Sequence, residues 1–221
     1  MENARQIKDM LYEQVARLGK AVSSPKRLEL IEVLCQGEKS VDHLASEVAI
    51  SLKLASAHLR ELRRSRLVET RREGKKIFYR LADARVADFW VMLHSLAEDR
   101  LTELQHALKR ITAEPDALEP RNRNDLMRRA RAGEITVIDV RPLDEFVQAH
   151  LPFARSIPLD ELTTRLDELP QKTPIVAYCR GPYCLMARDA VILLRQQGFR
   201  ADQLTDGVAE WHALADQPRT D

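Results

Sequence analysis

The sequence predicts two domains of different class: a mainly α first half that contains one short β-hairpin, and an α/β second half with a central parallel sheet. Three observations carry this. Up to Ile111 the apolar residues recur at helical spacing, except in one basic stretch that alternates like a hairpin. Beyond Asn124 short apolar runs alternate with helical patterns, the order expected of a parallel sheet. Between the two lies a polar segment holding Pro115 and Pro120, which reads as a linker. A chain of 221 residues suits one large domain or two small ones at ~100–200 residues each. Hydrophobic residues at 44% and charged residues at 31% exclude collagen-like or disordered material.

Ile7, Met10, Leu11, Val15, Leu18 and Val22 lay out the first helix. Ser24 at the N-cap and Pro25 at the first helical position start the next, which carries Leu28, Leu30, Ile31, Val33 and Leu34 and stops near Gly37. A short helix over 41–45 is followed closely by one that Ser51 caps, with Leu54, Ala55, His58, Leu59 and Leu62 on related faces. Two short helices so near each other form a helix-turn-helix. Segments 67–72 and 76–81, joined by Glu73-Gly74-Lys75, read as a basic hairpin, that is, a wing. Residues 84–111 keep an uninterrupted helical pattern through Val86, Phe89, Trp90, Leu93, Leu96, Leu101, Leu104 and Leu108. Such a helix is ~40 Å long, more than a small domain covers, so part of its seam is expected to meet a second subunit. The expected division is 1–111, a linker over 112–123, and 124–221. In the last part 135–140 and 174–178 are buried strands, and 185–197 is a helix ending at Gly198.

The net charge of +1 hides an asymmetry. Through residue 112 there are 21 Lys and Arg against 16 Asp and Glu, and in the remainder 14 against 18. Residues 53–80 hold ten basic and three acidic residues, so a polyanion is expected to dock there. The apolar run 190–194, as long as any in the chain, is far short of the ~20 residues of a membrane span. No secretory signal is readable at the N-terminus, and the expected location is the cytoplasm. Three cysteines, Cys35, Cys179 and Cys184, suit reactive or buried thiols in a reducing compartment better than a disulfide framework.

A helix-turn-helix followed by a basic hairpin is a winged-helix arrangement, whose second helix enters the major groove while the wing lies along phosphates. Over about 18–89 the chain resembles the ArsR/SmtB family of dimeric bacterial repressors. The resemblance rests on Ser24-Pro25-Lys26-Arg27-Leu28, Ser40-Val41-Asp42-His43-Leu44-Ala45, Ser56-Ala57-His58-Leu59, Leu67-Val68 and Arg72-Glu73-Gly74-Lys75. It implies that 52–64 is the recognition helix, with Lys53, Ser56, Ala57 and Arg60 facing DNA and Arg71, Arg72, Lys75 and Lys76 on the wing. The implied partners are double-stranded DNA carrying an inverted-repeat operator and a second copy of the chain. Leu52 stands where the family often has a polar residue, and Arg66 where it often has glycine. His58 reads as a packing or phosphate-facing residue. The family's Cys-x-Cys metal ligands map onto Ser40 and Asp42, which cannot replace soft thiolates. His94 and Glu98, one helical turn apart, and His106 further on, read as a solvated polar face. No metal and no cofactor are therefore expected. Cys35 reads as a small buried hydrophobe.

Cys179 ends an apolar strand and is followed by Arg180-Gly181-Pro182-Tyr183-Cys184 and then a helix. A tight loop between strand and helix gathers backbone amides and the helix's partial positive charge around one point, so a thiol held there is expected to be a thiolate near neutral pH. Over about 124–218 the chain resembles a single rhodanese domain. The likeness rests on Val137-Ile138-Asp139-Val140-Arg141 with Glu145-Phe146, on His150-Leu151-Pro152-Phe153-Ala154-Arg155-Ser156-Ile157-Pro158, on Tyr178-Cys179-Arg180 with its loop, and on Asp206-Gly207-Val208-Ala209-Glu210-Trp211. The resemblance implies that Cys179 attacks a sulfane sulfur donor, holds the sulfur as a persulfide on the amides of 180–184, and passes it to a thiol acceptor. Asp139 and Arg141 read as residues that orient the loops. An arginine often stands at the position of Cys184, and its absence counts against thiosulfate as the donor. Cys184 can instead attack a persulfide on Cys179 and close a bridge.

The leading expectation is a dimeric transcriptional repressor whose rhodanese domain senses or handles sulfane sulfur or redox state. A second reading is mainly an enzyme, a sulfurtransferase with the winged helix as a dimerisation and localisation module. A third is a metal-responsive repressor with a degenerate rhodanese appendage, lowered by the missing thiolate ligands.

Overall fold

The structure is a computed structural model that describes residues 3–111 and 123–213. It divides into two units, Met1–Trp90 and Val91–Asp221, so the division falls within a helix. The expected linker over 112–123 lies outside the described residues except for Arg123.

In the first unit, α1 (Ala4–Val22) opens on a capping box between Asn3 and Gln6. Only Ala21 of this helix is buried; Ile7, Met10, Leu11, Val15 and Leu18 are exposed and line an apolar stripe. α2 (Pro25–Leu34) starts at Pro25 as expected. Ser24, however, caps through its carbonyl, which accepts the Arg27 and Leu28 amides at 3.0 and 3.1 Å, and its hydroxyl makes no cap bond. Cys35 at the end of α2 is half-buried, where full burial was expected. After β1 (Lys39–Ser40), α3 (Val41–Glu47) is capped by the Ser40 hydroxyl and α4 (Leu52–Arg64) by the Ser51 hydroxyl, each accepting an amide at 3.3 Å. α4 ends at Arg66, whose φ of +59° lets the Leu67 amide return to the Leu62 carbonyl at 3.0 Å. That backbone conformation favours glycine, and a side chain there costs about 1–2 kcal/mol. β2 (Val68–Glu73) and β3 (Lys76–Leu81) form the hairpin, and β1 completes an antiparallel sheet of order β1-β3-β2.

The single helix expected over 84–111 is two. α5 (Ala84–Arg100) and α6 (Thr102–Ile111) meet at Leu101. There the Gln105 side chain donates to the Glu98 carbonyl at 2.7 Å, the acceptor that the Thr102 amide takes in an unbroken helix. The Leu101 carbonyl instead opens the next helix, accepting the Leu104 and Gln105 amides. Phe89, Met92, Leu96 and Leu101 remain exposed.

The rest of the second unit is a parallel sheet of order β5-β4-β6-β7. β4 (Thr136–Asp139) and β6 (Ile175–Tyr178) are its centre, between β5 (Arg155–Ser156) and β7 (Ala201–Gln203). Strands covered on both faces read as continuous apolar runs, and Ile175 to Tyr178 are buried without exception. Ile138, Ile175, Ala177 and Cys179 pack with Ala187, Ala190, Val191 and Leu194 of α10 (Met186–Gln196) and with Leu162 of α9 (Leu159–Leu162). Val137, Val176 and Tyr178 face the other way, onto Leu126 of α7 (Arg123–Arg131), Leu151, and Val208 of α11 (Val208–Ala213). The remaining helix, α8 (Leu143–Gln148), follows β4. Parallel strands deliver the loops after β4 and β6 to the same edge of the sheet, where open α/β sheets hold their ligands. Among the described residues no helix is long and apolar enough to cross a membrane.

Candidate functional site

Two surfaces follow from this arrangement, one in each unit. On α4 the buried residues Ala55, Leu59 and Leu62 occupy one face; at 3.6 residues per turn, Lys53, Ser56, Ala57 and Arg60 fall on the opposite one. Lys53, Ala57 and Arg60 are exposed there and Ser56 is half-buried. His58 is half-buried, and burial together with the Arg27 charge pulls its pKa below the ordinary imidazole value. On the wing Arg71, Arg72, Lys75 and Lys76 are all exposed. Arg71 differs from the others: its guanidinium is 2.6 Å from both Glu38 and Glu73 and lies over the Phe78 ring at 4.9 Å. It holds the Glu38 carboxyl below the usual carboxylate range. Arg71 is thus committed to acidic neighbours, while Arg72 donates to the Gly74 carbonyl at the turn, at 3.1 Å.

In the second unit Cys179 leaves the C-terminal end of β6 and is 2% exposed. Its Sγ lies 3.4 Å from the Cys184 carbonyl. The Ala187 and Gly181 amides point at the Cys179 sulfur, and the Arg180 and Met186 amides at that of Cys184. Of the amides of 180–184 expected around Cys179, that of Gly181 points at its sulfur, that of Arg180 points at Cys184 instead, and that of Cys184 donates to the Gly181 carbonyl at 3.1 Å. Burial pushes the Cys179 thiol well above its usual range, and its hydrogen bond to Cys184 and the charge there push the same way. The Cys184 thiol, beside Cys179 and facing the Arg180 and Met186 amides, is lowered to about 7. Desolvation of the strand-end sulfur works against the thiolate expected at Cys179, against the pull of the two amides aimed at it.

A buried polar network fixes the loop's base. The Arg141 guanidinium donates to Asp139 at 2.5 and 2.9 Å and to the Ala149 carbonyl at 2.8 Å. The Tyr178 hydroxyl donates to Asp139 at 2.6 Å and accepts the Leu151 amide at 3.0 Å. Asp139, Arg141 and Tyr178 are all fully buried, and the network joins β4, β6 and the turn after α8, the orienting role expected of Asp139 and Arg141. Arg180 faces inward, but its charge goes to the buried Glu145, at 2.6 and 3.1 Å.

Two cavities border this region. One of about 480 Å³ lies between Val140, Pro142, Leu143, Leu159 and Met186, with Asp160 and Glu161 also in its lining. The other, about 260 Å³, is lined by Pro182, His94, Glu98, Asp206 and Glu210 among others. His94 corrects an expectation: it is 6% exposed, not on a solvated face, and sits 3.2 Å from both Glu98 and Glu210. Burial lowers its pKa, but the bonds and charges of Glu210 and Glu98 prevail and raise it. Tyr183 meets the His94 ring edge-on at 5.6 Å. Sequence reasoning missed Glu145, His94 and Glu210 as site-supporting residues. Glu145 and Glu210 stood inside the quoted motifs, but nothing in the helical spacing of His94 announces a partner 116 residues away. Among the described residues no three His, Cys, Asp or Glu side chains converge where a metal ion fits.

Comparison with known proteins matches residues 24–70 to the bacterial regulatory proteins of the arsR family and residues 122–214 to the rhodanese-like domain. The chain is 42% identical over 205 residues to the HTH-type transcriptional regulator Rv0324 of Mycobacterium tuberculosis, covering 92% of this chain and 89% of that protein. It is 42% identical over 83 residues to a biofilm growth-associated repressor of Xylella fastidiosa, covering 38% of this chain and 73% of that one. Among solved structures, the homodimeric winged helix-turn-helix DNA-binding domain of Mb0332 from Mycobacterium bovis is similar at 37% identity and a TM-score of 0.43, covering 47% of this chain and 95% of that one. With both segments matched in order and a relative aligned along nearly its whole length, the chain belongs to the arsR family of bacterial regulatory proteins, in a form that carries a C-terminal rhodanese-like domain.

Proposed function

We propose that the chain is a cytoplasmic homodimeric repressor that binds an inverted-repeat operator through α4 and the wing, and that its rhodanese-like domain takes up sulfane sulfur on Cys179. The uncovered apolar stripe of α1 and the exposed Phe89, Met92 and Leu96 of α5 support a second copy as partner. The observation that carries the sulfur reading is the pair of thiols, Cys179 and Cys184, in one loop whose backbone amides point at both sulfurs.

In this reading the Cys184 thiolate accepts the Cys179 proton as Cys179 attacks the terminal sulfur of a persulfide R–S–S–H. The donor's S–S bond breaks, RS⁻ leaves and takes the proton from Cys184, and Cys179–S–S–H remains. Cys184, again a thiolate, then attacks the inner sulfur, closes a Cys179–Cys184 disulfide and releases HS⁻; the sulfane sulfur is reduced by two electrons and the thiol pair oxidised. Two external thiols then reduce the bridge, the first forming a mixed disulfide and the second displacing it as R′S–SR′, which restores the pair. Asp160 and Glu161 at the nearby cavity, and the commitment of Arg180 to Glu145, disfavour a dianionic donor such as thiosulfate and favour a thiol persulfide.

The lowered Cys184 supports a second order of events, in which Cys184 attacks first and Cys179 resolves. Site-resolved mass spectrometry of Cys179→Ser and Cys184→Ser after a sulfane donor separates the two. The functional test is a DNA titration with and without a polysulfide donor. Typical allosteric coupling of ~1–3 kcal/mol predicts a shift of about 5–150-fold for the wild type, and none for Cys179→Ser. Equal affinity of reduced and loaded wild type would make the domain a sulfurtransferase joined to a repressor.

A further inference from the structure

We propose that Glu210, held by His94 of α5, is a positioning residue for the Cys179–Cys184 loop, so that the last turns of α5 set the reactivity of the two thiols. The proposal rests on the reading of these two cysteines as the reactive pair, but not on sulfur being what they react with. All the residues involved belong to the second unit.

Glu210 is 4% exposed, and its two carboxylate oxygens have separate tasks. Oε2 accepts the Gly207 amide at 2.8 Å and Oε1 faces His94 Nε2 at 3.2 Å. The carboxylate also lies flat against Gly181, where a Cβ would come within 3.0 Å of both oxygens. Gly181 has a φ of +148°, a conformation that side chains rarely adopt, and its amide is one of the two aimed at the Cys179 sulfur. A displacement of Glu210 therefore passes directly to an amide that holds the thiol. The same histidine reaches the loop a second time, through the Tyr183 ring.

His94 is placed to change state. When protonated it donates to Glu98 from Nδ1 and to Glu210 from Nε2, both at 3.2 Å; when neutral it donates from one nitrogen only. The other charged groups around it are Asp206, whose pKa is raised chiefly by burial, and Arg123 of α7. Arg123 lies 3.7 Å from Asp206 and donates to the backbone carbonyls of Glu210 and Trp211. With the His94 pKa raised by its carboxylates, the doubly bonded arrangement is complete on the acid side and is lost as pH rises through that pKa.

The test is site-resolved alkylation of full-length protein by iodoacetamide, with Cys35 in the first unit as internal reference. His94→Gln and Glu210→Gln are expected to change the Cys184 and Cys179 rates relative to Cys35 by about three- to tenfold at pH 6, within the range of coupling between directly contacting residues. The difference between His94→Gln and wild type narrows toward pH 9, where wild-type His94 has lost its proton. Glu98→Gln, which leaves the Glu210 contact in place, changes less. Wild-type labelling in both His94→Gln and Glu210→Gln at both pH values would overturn the proposal. So would an effect of Glu210→Gln that His94→Gln does not share, since Glu210 would then act on Gly181 without α5. If Glu210→Gln does not fold, judged by melting, His94→Gln decides alone. Loss of sulfur uptake in the wild type with the labelling shifts intact would sink the sulfur reading and leave this one standing.

Discussion

Gly207→Ala is the sharpest probe of how the loop is held. A Cβ at position 207 would lie 2.3 Å from the Arg180 carbonyl oxygen, 2.4 Å from its carbon and 2.8 Å from the Gly181 nitrogen. These are backbone atoms of the cysteine loop, and they cannot rotate aside. Ordinary carbon–oxygen contact needs about 3.4 Å, so the loop or the Gly207 turn must move by roughly 1 Å. A misplacement of that size costs about 10²-fold where reacting atoms must be aligned, whereas overpacking costs about 1–3 kcal/mol of stability. The expected result is a folded protein of lowered melting temperature whose sulfur uptake, followed by mass spectrometry after a persulfide donor, is slower by about 10²-fold. Gly133→Ala serves as control. It strains a φ of +70° but meets nothing within 4 Å, so it should cost ~1 kcal/mol of stability with sulfur uptake unchanged. Sulfur uptake by Gly207→Ala at the wild-type rate would refute the idea that the contact between positions 207 and 180 sets the loop.

Three further outcomes are expected. Arg72→Ala should weaken DNA binding on all sequences alike and reduce the salt slope by about one unit, whereas Arg71→Ala, whose charge is already paired with Glu38 and Glu73, should change the slope less; equal effects would contradict this difference. Cys184, lowered to about 7, should be half-maximally alkylated near that pH, the rate rising with pH because the thiolate is the nucleophile, and a midpoint near 9 would contradict this lowering. Tyr178→Phe removes the acceptor of the buried Leu151 amide and a donor to Asp139, and should cost about 1–3 kcal/mol by denaturant unfolding.

The sequence made legible whatever depends on local periodicity. α4 and its Ser51 cap, the hairpin, β6, and the helix after Cys179 all appear where the spacing of Leu, Val and Ile puts them. The break at Leu101 was not legible, because the residues on either side keep the helical period and the interruption comes from the Gln105 side chain taking the Glu98 carbonyl. The burial of His94 was not legible for a related reason. His94 and Glu98 are spaced as on any solvated helix face, and only the fold brings Glu210 to them. Of the cysteine loop, the strand end, the glycine and the helix start were legible, but how deeply each sulfur is buried was not. Cys179 is buried and Cys184 half-buried, a difference in location that only the fold sets.

That location bears on which chemistry the loop suits. A single sulfur at a buried strand end faces a conflict, since the amides that would hold a thiolate are offset by the cost of taking its charge out of water. A second, less buried thiol in the same loop eases it, since Cys184 is half-buried and faces the Arg180 and Met186 amides. An oxyanion substrate asks for the opposite arrangement, a surplus of positive charge at the mouth of the loop. Here Arg180 is neutralised by Glu145, Cys184 stands where an arginine is often found, and Asp160 and Glu161 add negative charge at the adjoining cavity. The loop spends its amides on two sulfurs and leaves no unpaired cation on Arg180 for a dianion. Its electrostatics therefore fit exchange between sulfur atoms, in which the charge stays on sulfur throughout, better than they fit capture of sulfate-like or phosphate-like groups.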